Sequence, residues 1–147
     1  MTLFLDADGC PVVKYAVAAA KKYGISCCIV CDTAHEIRCE GGQTLVVDKG
    51  ADSADFALTG RVQPGDLVIT QDYGLAAMCL ARQARVLHQD GWEYTAYNID
   101  ALLFSRHESR KIRAAGGRLK GPSRRRPEQD KAFCTALEQL LQTSVQG

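Results

Sequence analysis

A chain of 147 residues with 46% apolar and 24% charged side chains is one domain of ordinary size, able to bury about 68–70% of its unfolded surface. No apolar run approaches the roughly 18 residues of a membrane span, and the N-terminal stretch has no basic n-region and is interrupted by Asp6. The expectation is a cytoplasmic protein with no membrane partner. The net charge of +1 hides an asymmetry: residues 1–100 carry eight Lys/Arg against thirteen Asp/Glu, and residues 101–147 carry ten against four. An acidic body with a basic end suggests a cation site beside a surface for polyanions; a basic solvated helix face is the plainer account.

In chain order, Leu3–Leu5 reads as a buried strand that breaks into Asp6-Ala7-Asp8-Gly9-Cys10-Pro11. Pro11 suits the first turn of a helix to about Tyr23, with Val12, Val13, Ala16, Val17 and Ala20 on one face and Gly24 at its end. Ile25–Cys31 and Thr44–Val47 are the next strands, separated by the polar stretch Asp32–Gln43, and Asp52 can cap a short helix through Leu58. After the turn Gln63-Pro64-Gly65-Asp66, Leu67–Thr70 is the fourth strand, Tyr73–Arg82 a largely buried helix and Ala84–His88 the fifth strand. Trp92–Ile99 is an edge strand or a loop. Helices at about Asp100–Ala115 and Glu128–Thr143 enclose residues 116–127, too rich in glycine, proline and charge for regular structure. Neither a repeat nor a second domain is evident, so residues 1–147 form a single unit whose part from 101 holds the basic loop and C-terminal helix.

This alternation predicts an α/β fold with a mainly parallel sheet of about five strands and helices on both faces. In such a sheet the carboxyl ends of the strands share one rim, where ligands sit at the point at which strand order reverses. Asp6, Asp32, Asp48, Asp72 and Asp90 each follow a strand and would line that rim. A strand-terminal Asp can simply cap a turn, the better reading for Asp32 and Asp90. Asp6 and Asp72 differ because their strands are expected to be neighbours. Asp52 and Asp55 share a helix face, where capping is the plain alternative. Two carboxylates about 4 Å apart repel by roughly 4 kcal/mol at an effective dielectric near 20. A divalent cation, a shared proton or a basic partner would relieve the strain between Asp6 and Asp8. Hard oxygen ligands with open positions for water and phosphate are what Mg²⁺ or Mn²⁺ requires.

Seven cysteines, an odd number without a secretion signal, point to reduced thiols. Cys28, Cys31, His35 and Cys39 have the look of a zinc site, but a strand over Ser26–Cys31 directs Cys28 and Cys31 to opposite faces. Structural zinc needs four convergent ligands, so core packing is the reading preferred.

Asp-Ala-Asp-Gly-Cys-Pro-Val (6–12), Gly-Ala-Asp-Ser-Ala-Asp (50–55), Gly-Asp-Leu-Val-Ile-Thr-Gln-Asp-Tyr-Gly-Leu-Ala (65–76) and Gly-Gly-Arg-Leu-Lys-Gly-Pro (116–122) resemble, in this order and over nearly the whole chain, the YaiI/YqxD family of bacterial proteins. That family is grouped with the PIN-like nuclease superfamily, including its NYN branch. The resemblance implies a three-layer α/β/α sandwich with a Rossmann-like sheet and an acid cluster binding Mg²⁺ or Mn²⁺. It implies Asp6, Asp72 and either Asp52 or Asp55 as ligands, with Asp8 an additional acid of the site. The reaction implied is metal-dependent hydrolysis of a phosphodiester; of the two nucleic acids, RNA is the preferred reading. Arg110, Lys111, Arg113, Arg118, Lys120, Arg124, Arg125 and Arg126 would hold the nucleic-acid backbone by charge, without reading sequence. Thr70 and Gln71 could orient water or phosphate, or stabilise a turn. Tyr73 could stack on a base, although a partly buried tyrosine at a helix start is the more ordinary account.

Two alternatives stay open. Haloacid-dehalogenase-like phosphatases also open with a strand and Asp-x-Asp-Gly, and Lys49 and the segment from Gly65-Asp66 to Asp72 imitate their later motifs. Their Gly-Asp acids follow a strand, however, whereas Gly65-Asp66 precedes one here. The other alternative is a non-catalytic nucleic-acid-binding module that keeps the acids as a structural metal site.

Overall fold

A computed structural model of the chain describes residues 1–32, 41–47, 53–116 and 124–146. The strands are β1 (Thr2–Asp6), β2 (Ser26–Asp32), β3 (Gln43–Val47), β4 (Leu67–Ile69), β5 (Arg85–Leu87) and β6 (Glu93–Tyr94). The helices are α1 (Val13–Lys22), α2 (Ser53–Arg61), α3 (Tyr73–Ala81), α4 (Ile99–Ala114) and α5 (Pro127–Gln146). Among the described residues the strands form one sheet of order β3-β2-β1-β4-β5-β6. All neighbours pair in parallel except β5 and β6. The strand count is therefore six rather than about five, because two residues of the stretch after Asp90-Gly91 pair antiparallel with β5.

Strict alternation along the strands divides the core in two. Leu3, Leu5, Ile29, Cys31, Leu67, Ile69 and Leu87 face α1 and α5, meeting Val13, Ala16, Val17, Phe133, Leu137 and Leu141. Phe4, Val30, Val68 and Val86 face the other way, against Leu58 of α2, Leu75, Ala76 and Cys79 of α3, and Ile99 of α4. Strands covered on both faces have no solvated side, which is why they read as continuous apolar runs. The same alternation sends Cys31 into the first cluster and Cys28 against the second, so the two cysteines do diverge. His35 and Cys39 lie outside the described residues.

The amino rim of the sheet is tied by Asp66, a buried acid. Its Oδ1 accepts from the Thr2 N–H and its Oδ2 from the Gln63 N–H, each at 2.9 Å. Gly65-Asp66 thus stands at the end opposite Asp6 and is committed to structure. Lys49 lies outside the described residues.

β2 and β3 extend the sheet to one side of β1, and β4, β5 and β6 to the other. The order therefore reverses between β1 and β4, opening a crevice beyond their carboxyl ends. Asp6 and Asp32 are the last residues of β1 and β2, and Asp72 follows β4 by three positions. Asp48 lies outside the described residues.

Candidate functional site

Asp6 sits at the crevice, with its backbone inside the ladder and its side chain half-buried. Across the reversal, Thr70 is 2% exposed and donates its hydroxyl proton to Asp6 Oδ2 at 2.8 Å. The same Thr70 oxygen accepts from the Asp72 N–H at 3.0 Å. Since a hydroxyl has one proton, the backbone bond directs that proton towards the carboxylate. Thr70 is therefore a bridge from Asp6 to the chain at Asp72, a more definite role than orienting a turn.

Asp72 is the N-cap of α3: Oδ1 accepts from Gly74 N–H at 2.8 Å and Leu75 N–H at 3.2 Å. Capping satisfies two of the orphan donors of the first turn and places a negative charge at the positive end of the helix. Asp8 is exposed on the loop after β1. That loop faces the one after β4, for Gln71 Nε2 donates to the Asp8 carbonyl at 3.5 Å and stands 3.1 Å from where a Cβ on Gly9 would lie. Gly9 turns there with φ +67°, a left-handed conformation that suits glycine. Asp55 stands in the first turn of α2, half-buried. Asp52 lies outside the described residues.

Electrostatics link these acids. Asp6 is pushed from 3.8 up to about 6, first by desolvation and then by the charges of Asp55, Asp72 and Asp8, against the opposing hydrogen bond from Thr70. The charges of Asp55, Asp72 and Asp8 all penalise ionisation of Asp6, the condition a dication relieves. Among the described residues no three His, Cys, Asp or Glu side chains are gathered into a ready-made metal cage. The donor set nonetheless suits Mg²⁺ or Mn²⁺: it is all hard oxygen, and Mg²⁺ keeps several of its waters while taking only one or two carboxylates. The residues present fit such an ion.

Sequence reasoning missed a clasp beside the site. Arg125 donates to Asp90 Oδ1 and Asp130 Oδ1, both at 2.7 Å, and to the Gln89 carbonyl at 2.8 Å. Its guanidinium is thus engaged in joining the basic loop and α5 to the turn after β5, whereas Arg124 and Arg126 are exposed beside it. No local pattern reveals this, since Arg125 and Asp90 are 35 positions apart. His88 stacks on Trp92 with ring centroids 4.4 Å apart, and its Nδ1 accepts from the Asp90 N–H. Tyr73 is half-buried and meets Tyr94 edge-on at 6.0 Å, in keeping with the ordinary account of a helix-start tyrosine. Tyr94 is buried, and its hydroxyl has no hydrogen-bond partner among the described residues.

Of the other basic residues, Lys111 is exposed on α4. The side chains of Arg110 and Arg113, and the whole of Arg118 and Lys120, lie outside the described residues. His107 is exposed, apart from the acids in sequence and on another element.

Residues 4–143 match the family described as "Uncharacterized BCR, YaiI/YqxD family". The chain belongs to the YaiI/YqxD family. It is 45% identical over 141 residues to a UPF0178 protein of Exiguobacterium sibiricum, covering 96% of each chain. It is 46% identical over 147 residues to a UPF0178 protein of Ruminiclostridium cellulolyticum, covering all of this chain and 96% of the relative. A UPF0178 protein of Enterococcus faecalis is 40% identical over 148 residues, with 99% and 100% covered. No solved structure matches. The family match takes in Asp6, Asp8, Asp52, Asp55 and Asp72, together with the basic loop and most of α5.

Proposed function

We propose that this YaiI/YqxD protein is a Mg²⁺- or Mn²⁺-dependent nuclease that hydrolyses phosphodiester bonds in RNA, built as a PIN-like three-layer α/β/α sandwich. The observation that carries the reading is Asp6, a carboxyl at the strand-order reversal on which Asp55, Asp72 and Asp8 all act. Asp6, Asp72 and either Asp55 or Asp52 would hold the ion, with Asp8 beside them. When bound, such an ion supplies a Lewis acid that activates water and neutralises charge on a phosphate.

The chain's own residues divide the remaining work. Thr70 fixes the Asp6 carboxylate through Oδ2. Asp72 keeps its orientation because Oδ1 is anchored on the α3 amides. The positive end of the α3 dipole favours anions at the same spot. Arg124, Arg126 and Lys111 supply exposed positive charge for the polynucleotide backbone, with Arg110, Arg113, Arg118 and Lys120 contributing from the same part of the chain. Arg125 contributes by holding the loop in place through Asp90 and Asp130.

The test is cleavage of a labelled single-stranded RNA with Mn²⁺ or with EDTA, by the parent chain and by Asp6→Asn and Asp72→Asn. The reading expects Mn²⁺-dependent cleavage by the parent, a loss of at least about 100-fold in either variant, and salt-sensitive binding kept by both. A parent that binds RNA and never cleaves it under any divalent ion would instead make the chain a binding module. Rapid turnover of p-nitrophenyl phosphate with RNA left intact would favour the phosphatase.

A further inference from the structure

We infer that Phe56 is a base-stacking platform: an unpaired nucleobase lies on its ring while the adjoining backbone passes the Asp6 crevice. This rests on the nucleic-acid part of the function proposed above and adds what recognises the base.

α2 begins at the carboxyl rim, since it follows β3 and precedes β4, two strands that run the same way. Its inner face is well buried, with Leu58 and the following Val62 both 0% exposed. Phe56, one residue after Asp55, is 70% exposed in the first turn of that helix. Successive helical residues are about 100° apart around the axis. Asp55 can therefore act on Asp6 while Phe56 stands on the flank of the same rim. A phenyl ring left in water forgoes its burial free energy. Tyr15, Tyr97 and Phe104 are exposed aromatic residues too, but none is next in sequence to an acid that acts on Asp6.

On the other side, α4 carries the exposed Lys111, whose Nζ lies 3.7 Å from Glu108 Oε1. β6 runs against its neighbours, so α4 starts near the amino rim and climbs back beside α3, which packs against both α2 and α4. α4 has 16 residues and α3 has 9. At 1.5 Å per residue they are about 24 Å and about 13 Å long. α4 is therefore the longer of the two, and exposed Lys111 lies in its last turn. An open aromatic ring beside Asp55, together with exposed cations at Lys111, Arg124 and Arg126, supplies the elements of a single-strand site. Stacking accepts any base, because each has a π-face, and charge tracks the backbone. A base within a duplex has no free face to offer, so the platform selects unpaired nucleotides.

The experiment measures binding of a fluorescein-labelled 12-nucleotide single-stranded RNA to the full chain by anisotropy, in EDTA and low salt so that no cleavage intervenes. Phe56→Ala and Phe56→Leu should each weaken binding by about 5- to 150-fold. Phe56→Trp should bind at least as tightly as the parent, with its tryptophan emission quenched by the RNA. Leucine preserves apolar bulk without a π-face, so its loss separates stacking from simple packing. Since Phe56 is exposed, thermal melts of all three variants should match the parent. Parent-like binding by Phe56→Ala or by Phe56→Leu would overturn the inference and leave the ring to some other occupant. A parent that binds no RNA overturns it too. RNA binding that depends on Phe56 without any cleavage would defeat the hydrolase reading alone and leave the platform standing.

Discussion

Asp6 is the carboxyl on which the proposed function rests, and its proton affinity gives a test that needs no substrate. Burial and like charge raise it from 3.8 to about 6, so the folded state holds the proton more tightly than the unfolded chain. Its favourable contribution to stability is therefore complete below about pH 3.8 and is lost as pH rises through about 6. Above that range the ionised group costs on the order of 3 kcal/mol against a freely solvated carboxylate. Asp6→Asn removes the charge and keeps an acceptor for Thr70. Urea melts in EDTA at pH 8 should find the variant more stable by about 2–3 kcal/mol, and the advantage should vanish near pH 4. An advantage equal at both pH values would mean that Asp6 does not carry this charge strain. Thr70→Val leaves the Asp72 N–H and the Asp6 carboxylate without their shared partner, so chemical denaturation should show a loss of about 1–3 kcal/mol, largely restored in Thr70→Ser. Asp6 and Asp72 were legible as rim acids because each follows an apolar strand. The Thr70 bridge was not, because its partner lies 64 positions away and only the β1–β4 pairing brings the two together.

Strands and helices were legible wherever the apolar period was long. β1, β2, β4, α1 and α3 stand within a residue or two of where the pattern puts them, and the neighbouring of β1 and β4 follows from the alternation itself. β6 was ambiguous because two residues carry no period, and only its pairing with β5 defines it. The docking of α5 also escaped the sequence. Asp90-Gly91 signals a turn, but not that a Cβ on Gly91 would meet the Ala132 carbonyl oxygen at 2.6 Å. Gly91 has φ +92° as well, so Gly91→Ala faces both a clash with backbone and a strained conformation. Thermal or urea melts should show it losing at least about 2 kcal/mol. Arg125→Ala removes the shared partner of Asp90 and Asp130 beside that turn, and a loss of about 1–3 kcal/mol is expected by the same measurement. Arg124→Ala, on an exposed neighbour, should melt within about 0.5 kcal/mol of the parent.

At the scale of the whole molecule, the charge division along the chain becomes a division in space. Parallel strands deliver Asp6, Asp32 and Asp72 to one rim, while Lys111, Arg124 and Arg126 stand exposed after β6, on α4 and just before α5. A polyanion held mainly by that basic part should be released by salt, with the logarithm of affinity falling linearly against the logarithm of salt concentration. Replacing Arg124 and Arg126 together by Ala should flatten the slope for single-stranded RNA by about 1.4, at about 0.7 for each phosphate no longer neutralised. An unchanged slope would place the binding surface elsewhere.

Function in this molecule turns above all on whether the acids at the β1–β4 reversal converge on a hard dication. A crystal soaked in Mn²⁺ and examined for anomalous scattering measures this directly. The expected result is a peak in the crevice beyond β1 and β4, coordinated by Asp6 and by at least one of Asp72, Asp55 or Asp52, and absent from Asp6→Asn crystals soaked in the same way. A crevice without a peak, or a peak that persists in Asp6→Asn, would refute the metal site and with it the hydrolase.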